Sequence, residues 1–137
     1  MEIGEALYAH LAATTALSAL IGTKIYPVSG PQNVDLPMVT YQMISGIRIH
    51  ASISDPGLTR PRFQISSWST SYSTCKAVAT QVRIALQDYS GDMGSTTETV
   101  PVQRIFHDNE IDLQDTSDGR VTYQNAQDFI IWHTSST

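Results

Sequence analysis

The feature that most constrains the fold is one amphipathic helical segment that lies between two groups of strand-like segments. Apolar residues between positions 75 and 89 follow one another at spacings of 3, 4, 3, 1 and 3, which places them on one face of a helix. They are Cys75, Val78, Val82, Ala85, Leu86 and Tyr89. Ser71 or Ser73 can cap the start, and Gly91 stands where a left-handed residue ends a helix. The pattern predicts a helix over residues 72–89.

Two segments before this helix alternate apolar and polar residues, as half-buried strands do. One runs from Met38 to Ile44, and the other contains Phe63 and Ile65 and continues to Trp68. The Asp-Pro-Gly at 55–57 between them suits a type II turn. The sequence therefore predicts a long hairpin over residues 38–68, whose tip extends beyond the sheet.

The segments after the helix are again strand-like. Residues 100–106 form one predicted strand, which Pro101 restricts to an edge or a bulge. Asp118-Gly119 is a turn signal, and alternation resumes from Val121 to Trp132. These segments predict further antiparallel strands.

The N-terminal part carries an apolar stripe over residues 2–21, interrupted at Thr14-Thr15. One bent helix and two short helices, the second capped by Thr15 and ending at Gly22, both fit this pattern. A short strand is predicted at residues 25–27. Together the segments predict a single α+β domain over residues 1–137. It has an antiparallel sheet of about four to five strands, two main helices packed on one face, and a long protruding β-hairpin.

Composition excludes several classes of function. A net charge of −5 argues against a protein that holds duplex DNA by neutralising phosphates. The single cysteine, Cys75, cannot form an internal disulfide, and no secretory signal or membrane span is predicted. We therefore expect a cytoplasmic protein. Charged residues make up only 15% of the chain, and such surfaces suit subunit contacts because fewer charges must be desolvated.

No motif in the sequence predicts catalysis, a metal site or a cofactor. The four histidines lack metal-ligand spacing and have no cysteine cluster beside them. A calcium loop aligned from Asp108 fails, because Leu113 replaces the required glycine and Gly119 the required glutamate. The nucleophile elbow and the phosphate-binding loop are also missing from the sequence. A small hydrolase with a cryptic catalytic site is therefore a weak functional hypothesis for this sequence.

Several segments resemble the tail-completion family of long-tailed bacteriophages and prophages. The resemblance is diffuse and spans nearly the whole chain. It is carried by Leu20-Ile21-Gly22 leading into Lys24-Ile25-Tyr26-Pro27, by Pro31-Gln32, by Leu36-Pro37-Met38-Val39-Thr40-Tyr41, by Phe63-Gln64-Ile65-Ser66-Ser67-Trp68, by the helix at 72–89 and by Asp128-Phe129-Ile130-Ile131. The acidic stretch near 108–118 departs from the family pattern.

The resemblance implies a structural subunit of a ring, commonly a hexamer, in the virion at the head-proximal end of the tail. Such rings end tail-tube growth or join the tube to the head connector, and they are assembled in the host cytoplasm. The implied partners are copies of the same chain, the tail tube protein and a head connector or stopper protein. DNA passes through the ring without specific binding, and the family brings no catalytic residues and no membrane. A non-viral α+β protein-binding module is the alternative.

Charge segregation indicates candidate interface residues. The first predicted hairpin carries basic groups and the later segment carries acids, and a head-to-tail ring needs two unlike, complementary patches. Solvated loops whose charges merely segregate are the competing interpretation. The candidate interface residues are Arg48, His50, Arg60, Arg62, Asp108, Glu110, Asp112, Asp115 and Asp118.

Overall fold

The computed structural model describes residues 2–28, 30, 36–46, 58–116 and 121–134. Within these residues the chain forms three helices, which are α1 (Ile3–Ala12), α2 (Thr15–Ile21) and α3 (Tyr72–Leu86). The same residues form seven strands, which are β1 (Ile25–Pro27), β2 (Met38–Ser45), β3 (Leu58–Thr59), β4 (Arg62–Ser69), β5 (Gly91–Gly94), β6 (Thr99–Asp115) and β7 (Thr122–Thr134). The mixed α+β class is confirmed.

The strands form one sheet in the order β1-β2-β4-β7-β6-β5, with β3 pairing β7 beside the start of β4. All pairs are antiparallel except β1 with β2, which is parallel. The prediction of four to five antiparallel strands is therefore wrong in number and in this one pair. β1 lies at the predicted residues 25–27, whereas β3 and β5, of two and four residues, carry too few alternating positions to be distinguished from loops in a sequence.

The hydrophobic core lies between the helices and one face of the sheet. Phe129 and Ile131 of β7, Ile65 of β4 and Ile105 of β6 are fully buried on this face. Leu7, Leu11, Val78, Val82 and Leu86 cover them from α1 and α3. The predicted apolar face of the third helix is confirmed, including burial of Cys75.

The helix ends differ in part from prediction. Ser71 caps α3 by accepting a hydrogen bond from the Thr74 amide, as one of the two predicted caps. The left-handed residue after α3 is Asp88, with φ of 62°, whereas Gly91 begins β5. Aspartate tolerates this conformation better than most residues, so the helix stops three residues earlier than the glycine signal predicts.

The N-terminal segment forms two short helices, and Gly22 with φ of 65° ends the second. Thr14, not Thr15, occupies the N-cap position of α2, and its hydroxyl donates to the His10 carbonyl instead of capping. β2 pairs with β4 from Met38↔Trp68 to Ser45↔Arg62, which agrees with the predicted strand pair. The predicted tip and its turn at 55–57 lie outside the described residues, as does the turn at Asp118-Gly119.

Pro101 lies in β6 between β5 and β7, but the pairing of β6 with β7 begins only at Val102. A register shift follows between Val102 and Arg104. The proline therefore occupies the position before a bulge, where its missing amide breaks no bond of the β6–β7 ladder.

Candidate assembly surface

The face of the sheet opposite the helices, here called the open face, carries large apolar side chains in contact with solvent. Phe106, Ile111 and Leu113 of β6 are 45%, 49% and 46% exposed. In the strand register they lie beside Ile130, Ala126 and Gln124 of β7, respectively. Exposed apolar groups that line up along one strand are typical of a surface that contacts another protein.

A bulge at Asp108 places Ile111 and Leu113 on the open face. β6 is in register with β7 at His107↔Phe129 and again at Asn109↔Asp128, so Asp108 is one extra residue. One extra residue exchanges the two faces of the strand beyond it. Without this bulge the two apolar residues would point toward the helices, with Ile105.

The outer edge of β6 has no strand partner over most of its length within the described residues. β5 pairs only with Thr99–Val102, and the Asp88 amide donates to the Ile105 carbonyl just beyond. From His107 to Gln114, here called the acidic edge, the described residues place no strand on the outer side of β6. An unpaired edge presents backbone donors and acceptors that a further strand can bind.

One ionic cluster of the acidic edge lies at the bulge. The Arg62 guanidinium contacts Asp108 at 2.6 Å and Asp128 at 3.4 Å, and Gln64 donates to Asp128 at 3.5 Å. The pKa of Arg62 is raised, chiefly by its hydrogen bond with Asp108. Two carboxylates share one guanidinium, so the cluster keeps one negative charge.

The second ionic cluster joins the acidic edge to α3. Lys76 contacts Glu110 at 3.3 Å and Asp112 at 3.4 Å, and the Tyr72 hydroxyl donates to Asp112 at 3.0 Å. The fully buried Asn125 amide donates to Glu110 at 2.8 Å and to Asp112 at 2.7 Å. Two carboxylates again meet one cation, which leaves one negative charge.

These contacts shift the ionisation of the second cluster. Burial disfavours the charged form of Glu110, but hydrogen bonds from Asn125 and Lys76 and the charge of Lys76 lower its pKa overall. The hydrogen bond from Asn125 is the main reason why the pKa of Asp112 is lowered. Burial opposes the charge on Lys76, yet the two carboxylates raise its pKa. The cluster is therefore fully ionised at neutral pH.

We expect acid to weaken this cluster. Because the two carboxyl pKa values are lower in the folded chain, the unfolded chain binds more protons as pH falls below about 5. The contribution of these two carboxylates to the free energy of unfolding is complete at neutral pH. It is lost as the pH falls through their pKa values in the folded chain, while Lys76 stays charged throughout. Urea unfolding between pH 7 and pH 3 should therefore show a smaller pH slope in the double variant Glu110→Gln, Asp112→Asn than in the wild type. Equal slopes would contradict this assignment.

The predicted interface residues divide into members of the two ionic clusters, two residues elsewhere in the described chain, and three residues outside it. The cluster members are Arg62 with Asp108, and Glu110 with Asp112, all within one chain. Arg60 lies with its guanidinium carbon 5.5 Å from the centre of the Trp132 ring, and its buried Nε has no partner in the described structure. Asp115 ends β6. The residues outside the described parts of the chain are Arg48, His50 and Asp118.

Sequence reasoning missed Lys76, Tyr72, Asn125 and Asp128. These residues come from α3 and β7, and no spacing in the sequence links them to the acids of β6. Only the strand register and the packing of α3 bring them together.

The described histidines make structural contacts. His10 lies 3.0 Å from the Ala85 carbonyl, and His107 lies 3.1 Å from Gln127. His133 lies 2.6 Å from the Thr59 hydroxyl, and His50 is outside the described residues. Within the described chain, no group of three His, Cys, Asp or Glu side chains is placed to bind a metal.

The described part of the chain also contains no helix both long and apolar enough to span a bilayer. Burial is the main cause that raises the pKa of Cys75, whose thiol donates to the Ser67 carbonyl at 3.2 Å. A buried thiol of raised pKa is a poor nucleophile, as the sequence predicts.

Comparison with protein families gives a match to Tail completion protein gp17 over residues 5–133. The chain belongs to this family. Membership makes it a structural protein of a phage-type tail, which is the role that the sequence resemblance implies. Comparison with curated protein sequences gives no match.

A solved structure supports the fold independently. The chain resembles one from the "Virion of native gene transfer agent (GTA) particle" with a TM-score of 0.71 and 18% sequence identity. The match covers 93% of this chain and 91% of that one. The two chains therefore have similar folds over most of their lengths.

Proposed function

We propose that this chain is the subunit of a ring at the head-proximal end of a phage-type tail. The ring ends growth of the tail tube, joins the tube to the head, or does both. Its partners are other copies of the chain, the tail tube protein and a head connector or stopper protein. The observation that carries the proposal is the tail-completion match over residues 5–133, and the GTA structural neighbour supports a place in a virion.

The distribution of charge supports a head-to-tail ring. The connection at 116–121 leaves the sheet at the end where Leu113, Gln124 and Trp68 lie in register. The connection at 46–57 leaves at the opposite end, beside Arg62 and Phe106. The second connection contains Arg48 and His50, and it forms the protruding hairpin of this proposal. Unlike ends on one subunit allow contacts that close around a ring.

The acidic composition suits a ring through which DNA moves. Each chain carries a net charge of −5, so a ring of several copies has a large net negative charge that repels the phosphates of DNA. The ring lets DNA pass without holding it.

Removal of the protein from the producing strain tests the proposed function. Electron microscopy should show overlong tails if the ring ends tube growth, and normal tails detached from heads if it joins the two. A strain complemented with the wild-type chain is the control and should yield complete particles. Complete, infectious particles of normal tail length without the protein would contradict the proposal.

A further inference from the structure

Arg60 differs from the other arginines on the open face, because it has no carboxylate partner among the described residues. Arg62 shares the two carboxylates of the cluster at the bulge, and Arg104 contacts Asp88 at 2.9 Å. Arg60 is half-buried, and its buried Nε has no hydrogen-bond partner in the described structure. A partly desolvated charge without a partner is unfavourable. Arg60 is therefore suited to a carboxylate from outside the chain.

Aromatic rings surround this arginine on the open face. Its guanidinium carbon lies 5.5 Å from the centre of the Trp132 ring, and that of Arg104 lies 5.4 Å from the centre of the Phe106 ring. Trp132 is in register with Arg104, one open-face row beyond Phe106. These four residues are here called the arginine corner. Arginines held over aromatic rings are typical of the centre of a protein interface.

The second ionic cluster offers a surface of the opposite charge. It keeps one negative charge after its pairing with Lys76, and the side chains of Glu110 and Asp112 remain 35% and 43% exposed. The half-exposed Ile111 and Leu113 alternate with these acids along β6. Carboxylates and apolar groups therefore lie together, as the cations and rings of the arginine corner do.

Arg60 cannot reach the second ionic cluster of its own subunit. It lies beside Trp132 near one end of β7, whereas Asp112 is in register with Asn125. These two β7 residues are seven positions apart, and Arg60 and Asp112 lie on opposite sides of the strand. The separation is roughly 25 Å, which is more than the two side chains span. A contact between them needs a second copy of the chain.

We propose that Arg60 of one subunit binds the carboxylates of Glu110 and Asp112 of the next subunit. This inference rests on the proposed ring and specifies the contact that closes it. Two arginine corners, or two acidic clusters, bring like charges together and do not pair. Since the two surfaces lie toward opposite ends of β7, each subunit presents one to each neighbour, as a head-to-tail ring requires. The rings of the arginine corner then cover the neighbour's exposed isoleucine and leucine.

Zero-length cross-linking in purified particles tests the contact. Carbodiimide joins an amine to a carboxylate that it touches, so the variant Arg60→Lys keeps the cation and makes the contact reactive. Covalent dimers and larger multimers should form, and mass spectrometry should find residue 60 linked to residue 110 or 112 of another chain. In wild-type particles these carboxylates should link only to Lys76 of the same chain. The matched control Arg83→Lys, on α3, should give no link to them.

Charge reversal measures what the contact contributes to assembly. Arg60→Glu should lower the yield of complete particles at least about tenfold, because it sets a carboxylate against two others. Arg60→Lys should keep most of the yield. Urea unfolding of the purified chains should give similar midpoints for both variants, which separates loss of the contact from loss of the fold. Equal particle yields from the two variants would overturn the inference.

The remaining outcomes separate this contact from the proposed function. A link from residue 60 to residue 110 or 112 within one chain overturns the inference. Formaldehyde coupling of the Arg60→Lys variant to packaged DNA, without a link between chains, also overturns it and places residue 60 on the DNA path. If the variant is in the neck but residue 60 links to neither carboxylate, the contact is wrong and the ring proposal stands. If the wild-type protein is missing from purified particles, the ring proposal fails.

Discussion

Phe129→Ala is expected to destabilise the fold by about 3–5 kcal/mol. Phe129 is fully buried at the centre of the sheet, opposite Phe63 on one side and His107 on the other, with the His107 ring 5.2 Å away. Its removal leaves a cavity between β7 and the helices that neighbouring side chains fill only in part. Urea unfolding followed by circular dichroism measures the loss.

Phe106→Ala is the matched control, since Phe106 lies on the neighbouring strand but is half exposed on the open face. We expect it to cost less than about 1 kcal/mol. If Phe129→Ala does not fold, Phe129→Leu should still fold with a loss of about 1–2 kcal/mol. Equal losses from Phe129→Ala and Phe106→Ala would show that the core does not lie on the helix side of the sheet.

Asn125→Ala is expected to cost about 2–3 kcal/mol, because the two carboxylates that accept from its amide lose a buried donor. Charged acceptors make the stronger class of hydrogen bond, and Asn125 is fully buried between the acidic edge and α3. The same change should raise the pKa values of Glu110 and Asp112 toward their ordinary values. The acid dependence of unfolding should then become shallower.

Asn109→Ala is the control for this variant, since Asn109 is an exposed asparagine of β6. It should change the free energy of unfolding by no more than about 0.5 kcal/mol. If Asn125→Ala matches it in stability and retains the wild-type pH slope, Asn125 does not hold the acidic edge against α3.

The parts of the fold that could be predicted have strong periodicity. The apolar face of α3 repeats over four turns, and β2 and β4 alternate without interruption over the core, so helix and strand pair follow from spacing alone. The short strand β1 lies at the predicted residues 25–27, but β3 and β5 could not be predicted from spacing. Each is defined by its partner strand and not by its own residues.

The candidate surface was predictable only as a set of residues with opposite charges. Alternation from Ile105 places Ile111 and Leu113 toward the core, and only the bulge at Asp108 reverses them. The residue types in this stretch do not predict a bulge, because the extra residue is an ordinary aspartate. In the structure this aspartate contacts Arg62 across the sheet. The ion pair between Arg62 and Asp108 within one subunit could not be predicted from the sequence either, since it depends on the register of three strands.

A high-resolution cryo-electron microscopy map of the head-proximal tail end in purified particles tests the central claim most directly. The account predicts a closed ring made of copies of this chain around the DNA path, with the acidic edge of each copy against its neighbour. A map that is complete at this position without the chain, or that shows the chain as isolated copies with a solvent-exposed acidic edge, would contradict it.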